Sequence, residues 1–177
     1  MPVFARTKLV IQDDCLVPQA SFATIEYKGP NPQNLYNKIK ELLVTIWRVD
    51  PGDVQEREFS WDRSSGTEKF RVRFEAVKDL DTFSFFFIRI NLSGEAKHSR
   101  EFGREGSAKI ELDTCLRTEY PQDTIWQRSL IYEMFRMLWH KAIYQNTRLR
   151  YLQECRELSH KFLEEIKSFL NALPKSY

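Results

Sequence analysis

Between Lys69 and Arg117 the chain alternates apolar and polar residues in three long stretches, and the parity of the alternation is the same in all three. A period of two marks a strand with one face on a core and the other in water. In the first stretch Phe70, Val72, Phe74 and Ala76 oppose Lys69, Arg71, Arg73 and Glu75. In the second, Phe86, Ile88, Ile90 and Leu92 hold the even face. In the third, Ala108, Ile110, Leu112, Thr114 and Leu116 oppose Lys109, Glu111, Asp113 and Arg117. Turns centred on "KDLD" and "SREFG" would bring Phe74 near Phe86, Ile90 near Leu112 and Arg89 near Asp113, so one register serves both hairpins.

The odd face of the middle stretch breaks the pattern. Phe83, Phe85 and Phe87 share it with Arg71, Arg73, Glu75 and Arg117, and with Val77 they make an apolar corner on a charged surface. Such a corner calls for a cover: the segment "KLVIQ", the end of a helix, or another molecule.

Around this meander, "SFATIEYKG" reads as a first strand and "VQEREFSW" as a weaker one, the latter followed by the turn-rich "DRSSGT". Between them Asn31 is placed to cap a helix with Pro32 at its first position, and Leu35, Ile39, Leu42 and Ile46 form a helical stripe that runs to Trp47 before "DPGD". From Thr124 to Leu173 there is neither Gly nor Pro, and Asp123 or Thr124 can cap a helix there. Ile131, Phe135, Leu138 and Ala142, flanked by Trp126, Leu130 and Met134, form a stripe suited to lying on a sheet. A second stripe of Tyr151, Cys155, Leu158, Phe162, Ile166 and Phe169 follows. Unbroken, the helix would span roughly 75 Å at 1.5 Å per residue, more than one small domain covers. Either it breaks near Asn146 or its last part projects. The expected architecture is α+β, a curved antiparallel sheet of about five or more strands on a long C-terminal helix. The expected division is a sheet-and-helix domain over 1–145 and a helical extension over 146–177, packed on the domain or on a partner.

Composition narrows the function classes. A net charge of +2 gives no whole-chain steering toward nucleic acid. Cys15, Cys115 and Cys155 lack CxxC spacing, so neither a disulfide framework nor a zinc cluster is expected, and reduced thiols in a cytoplasmic protein fit best. No apolar segment of signal-peptide or membrane-spanning length occurs, so no membrane partner is expected.

Chemistry-bearing motifs are absent from the sequence. His98, His140 and His160 form no HExxH, and no phosphate loop, dinucleotide fingerprint or GxSxG elbow occurs. His140, Tyr144 and Arg136 share a helix face but read as structural. Lys97, His98, Arg100 and Arg104 make a basic hairpin tip around "FGREGS", read as a solvated turn, so a nucleic-acid partner is not expected. No catalytic residue, metal ligand or cofactor is assigned.

The element order of strand, helix, antiparallel meander and long terminal helix resembles the helix-grip layout of the START and Bet v 1-like superfamily over Phe22 to Tyr144. That resemblance implies an apolar ligand site bounded by Val72, Phe74, Phe86, Ile88, Thr114 and Leu116 from the sheet and Met134, Phe135 and Leu138 from the helix; the competing reading is that these side chains fill the core. The family's sheet usually has seven strands, and the segment after Asn146 has no counterpart in it. The leading functional expectation is a non-catalytic association protein, an oligomer or a complex subunit. Its interface is formed by Phe83, Phe85 and Phe87 and by Tyr151, Leu158, Phe162 and Phe169 on the terminal helix. The alternative is a helix-grip binder of an apolar small molecule, with cyclase- or hydrolase-like activity in its cavity.

Overall fold

The computed structural model describes residues 10–16, 23–63, 66–101, 103–120, 122 and 124–173. Lys8, Leu9, Ser21, Phe22, Ser64, Ser65, Phe102 and Asp123, which figure in the expectations above, lie outside them. The fold is α+β: a curved, open antiparallel sheet of six strands with a long C-terminal helix. The strands are β1 (Val10–Asp14), β2 (Ala23–Pro30), β3 (Gln55–Asp62), β4 (Thr67–Asp79), β5 (Ser84–Ser99) and β6 (Gly103–Glu119). They lie in the order β1-β6-β5-β4-β3, and β2 also pairs with β6. This layout is consistent with a helix-grip architecture. β1 was not expected from the sequence; its five residues are too few and too acidic to show alternation.

The β5–β6 register is the expected one, with Ile90 opposite Leu112 and Arg89 opposite Asp113. The β4–β5 register keeps its parity but is displaced, so that Phe74 faces Ile90 rather than Phe86. The cause is the turn. The Asp81 carboxylate accepts hydrogen bonds from the Phe83 and Ser84 N–H groups at 2.8 and 2.9 Å, which moves the reversal toward Phe83 and lengthens β4 to Asp79.

Helix α1 (Leu35–Thr45) follows a single 3-10 turn at Pro32–Asn34, and Leu35, Ile39, Leu42 and Ile46 are buried as the stripe predicts. Asn31 precedes the turn in the left-handed region without a side-chain cap. The terminal helix does not break at Asn146. Helix α2 (Leu130–Trp139) continues through one π turn, His140–Tyr144, into α3 (Gln145–Ala172), a rod of about 65 Å at 1.5 Å per residue. Cys155, Ser159, Phe162, Ile166 and Leu170 of α3 are buried with the even residues of β4, β5 and β6 and with Ile39, Leu43 and Trp47. A Cys15–Cys155 disulfide locks α3 to the end of β1, correcting the expectation of three reduced thiols. Only spatial proximity, a Cα separation of 5.6 Å across 140 residues of sequence, reveals the pair. Cys115 alone is a free thiol among the described residues, and it is buried.

Candidate functional site

Helix α2 begins where Ser129 caps it, its hydroxyl accepting from the Tyr132 N–H at 3.2 Å. One seam of the helix then faces the end of the sheet. The buried Arg136 guanidinium lies 5.4 Å from the Tyr120 ring centre and pairs with Glu133, which accepts from Gln122 at 2.9 Å. The Tyr120 hydroxyl and His140 Nδ1 are 2.6 Å apart. The Tyr144 hydroxyl sits 2.6 Å from Ser84 Oγ and donates to Asp81 at 2.8 Å, and Ser84 Oγ is 2.8 Å from Thr118 Oγ1. Arg148 pairs with Asp13. Further along, Thr114 Oγ1 and Ser159 Oγ are 2.9 Å apart beneath α3.

These contacts set the titration of the seam. Burial, with Arg148 adding to it, pushes His140 below its usual 6.5 against a smaller opposing pull from Asp13. Burial, helped by the neighbouring Asp81, pushes the Tyr144 phenol well above its usual range, opposed by its Ser84 hydrogen bond. Burial also raises Asp81, but the hydrogen bonds from Phe83, Tyr144 and Ser84 outweigh it and the carboxyl ends up lowered. Arg136, His140 and Tyr144 do share a face, and their bonds run into the protein's own framework. Among the described residues, no group of three or more His, Cys, Asp or Glu converges as a metal site.

The opposite side of α2 is the unusual one. Leu130, Ile131, Met134, Phe135, Met137, Leu138, Trp139 and Ile143 are exposed, with Phe135 at 66% and Leu138 at 63%. Ile125 and Trp126 just before the helix and Leu149 after it extend the same surface. At 100° per residue the exposed apolar residues span an arc of roughly 240°. Glu133 is turned toward the domain and Arg136 is buried, so between Leu130 and Trp139 the exposed face carries no charge.

The structure therefore assigns the two stripes of the terminal helix differently from the expectation. Phe162 is buried in the core, and Tyr151, Leu158 and Phe169 pack against it. They hold the helix down. Phe83 stacks near Tyr120 and Tyr144 at 5.2 and 5.9 Å, and the Phe87 ring lies beneath the Arg89 and Arg117 guanidinium groups at 5.2 and 4.5 Å. Phe85 is half-buried beside them. Side chains of the same chain thus partly cover Phe83 and Phe87, while Val77, the fourth member of the corner, is 41% exposed. Val72, Phe74, Phe86, Ile88, Thr114 and Leu116 are buried under α1 and α3, whereas Met134, Phe135 and Leu138 face outward on α2, so the ligand-site halves are not brought together. At the basic hairpin tip Arg104 pairs with Glu68 at 2.9 Å, while Lys97, His98 and Arg100 are exposed.

The missing signal was the relative phase of the stripes. At 100° per residue the Ile131–Phe135–Leu138 stripe and the Cys155–Phe162–Ile166 stripe are roughly 130° apart on one rod, so only one can face the sheet.

No described helix is long and apolar enough to cross a membrane. No family model matches the chain, and no curated protein does. Among solved structures, a Staphylococcus aureus protein of unknown function is similar at 12% identity over 90% of this chain and 98% of that one, with a TM-score of 0.22.

Proposed function

We propose that this protein acts by association rather than catalysis, with α2 as its docking arm. The observation that carries the reading is the uncharged apolar arc on α2, opposite a seam that is bonded to the domain through Arg136, His140 and Tyr144. A helix apolar over most of its circumference is ordinarily found buried. The largest apolar patch on a typical monomer is about 300–600 Å². At roughly 100 Å² or more for each large side chain left more than half exposed, the arm exceeds that range. In the seam Tyr120, His140, Tyr144 and Asp81 each hold a partner within the protein, which favours a structural role for them. Within this reading the START and Bet v 1-like resemblance extends to layout alone, with α3 as the gripped helix and α2 as an addition ahead of it. The cytoplasmic setting expected from reduced thiols loses that support once Cys15 and Cys155 are bridged.

Acrylamide quenching tests the reading through Trp126 and Trp139, which lie on the arm and are 62% and 47% exposed in the single chain. The contribution of these two rings is the difference between the intact protein and Trp126→Phe/Trp139→Phe. Docking predicts that this contribution is blue-shifted and shielded. Rings that stay fully quenchable in the concentrated protein and with lipid vesicles would refute it.

A further inference from the structure

We infer that the molecule docked on α2 is a second copy of this chain, its arm packed antiparallel to the first; the inference rests on the association reading above. Three features of the arm point to a copy of itself.

The first is size. A standard interface buries about 800 Å² per partner and an obligate homodimer more. Eleven large apolar side chains between Ile125 and Leu149 are exposed, Ile125 by 75% and Met134 by 62%. At roughly 100 Å² or more apiece they supply on the order of 1,000 Å², the area of an obligate pair rather than of a passing contact.

The second is self-complementarity. A two-fold axis must place each residue against its mirror position. With the axis between Met134 and Phe135, Trp139 falls opposite Leu130, Phe135 opposite Met134, and Ile131 opposite Leu138. Every bulky ring meets a slimmer aliphatic chain, which is the condition for interdigitation.

The third is charge. Glu133 and Arg136 neutralise each other on the domain side, so the face can be dehydrated without stranding an ion. The exposed cations Arg128 and Lys141 lie just beyond the two ends of α2, so an antiparallel pair brings one end of each arm, and its cation, to the same rim. Like charges there repel across solvent and are screened by salt. The self-pair should therefore hold or tighten as salt rises. Docking of the same cations on an anionic lipid surface should weaken instead.

The test is the solution mass of the full chain by multi-angle light scattering at two concentrations and at about 0.1 and 1 M NaCl, salt levels chosen to span the screening range. It is run beside Met134→Glu/Leu138→Glu and the control Val44→Glu, an exposed apolar site remote from the arm. The expected masses are at least twice 21.1 kDa for the intact chain and the control, unchanged or larger at high salt, and 21.1 kDa for the arm variant with an unaltered far-ultraviolet spectrum. Ile131→Cys/Leu138→Cys, two positions that face each other in the antiparallel pair, should cross-link into a covalent dimer on mild oxidation. A single-copy mass for the intact chain overturns the inference. If that monomer floats with phosphatidylserine vesicles and the arm variant does not, the association reading survives with a lipid surface as occupant. If it neither assembles nor floats and its arm tryptophans stay quenchable, both fail.

Discussion

Replacing both bridged cysteines, Cys15→Ala/Cys155→Ala, should lower stability by an amount set by the loop they close. The bridge spans 140 residues of sequence, enclosing β2 to β6 and the whole of α2. In the chain-entropy description, releasing a loop of that size from the unfolded ensemble costs the folded state about 5 kcal/mol at 25 °C. For a chain of 177 residues each kcal/mol moves Tm by about 2–4 °C, so the midpoint should fall by about 10–20 °C. The sulfurs themselves add less, because Cys behaves in a core as a small apolar side chain. The assay is scanning calorimetry of the oxidised protein and the double variant at one fixed concentration, since assembly also shifts Tm. Alkylation under denaturing conditions should first find one reactive thiol, Cys115, in the oxidised protein. A midpoint lowered by less than about 2 °C, below what one kcal/mol produces in a chain this size, would refute the reasoning. Loop closure would then not be what ties β1 to the long helix.

Three further outcomes follow from the seam and the sheet. Gly106→Ala should destabilise by about 2 kcal/mol or more in urea titrations, because a Cβ there would sit 1.9 Å from the Glu95 carbonyl oxygen, and both are backbone-bound. Tyr144→Phe should cost about 1–2 kcal/mol by losing the bonds to Ser84 and Asp81. It should also remove a loss of stability in the wild type as pH rises above 10, where the unfolded chain releases a phenolic proton that the folded one retains. As pH falls through 6.5 the unfolded chain takes up a proton that folded His140 refuses, so stability should decline as pH drops below about 7 and level off once the folded imidazole is protonated too; His140→Asn should flatten that slope in denaturation curves.

Alternation carried most of the sheet. The shared parity of β4, β5 and β6, with the turn centred on "SREFG", placed Ile90 against Leu112 and Arg89 against Asp113, where an ion pair forms at 3.5 Å. It did not fix the β4–β5 offset, because a shift of an even number of residues preserves every face. There the Asp81 side chain decided the turn through bonds that no pattern encodes. The disulfide was illegible for a different reason: cysteines 140 positions apart show no pairing until the fold brings them together. The arm was legible but misread. Each stripe on the long helix was sound as a helical pattern, and only their relative phase showed that the weight of aromatic residues near Phe135 pointed away from the sheet that Phe162 covers.

The two edges of the sheet limit how chains like this can meet. β6 is flanked end to end by two short strands, β1 against Cys115–Glu119 and β2 against Glu105–Leu112, so that side presents no long continuous row of unpaired backbone groups. At the other edge β3 carries Glu56, Arg57 and Glu58 and slips register between the first and last of these. Broken, charged and irregular edges resist strand-to-strand addition. A chain with adhesive sheet edges and an adhesive helix would have several ways to join its neighbours, and such contacts propagate into fibres. With these described edges blunted, a chain that joins its neighbours through α2 would have one direction in which to stick, and an assembly of that kind stops when two such faces have met.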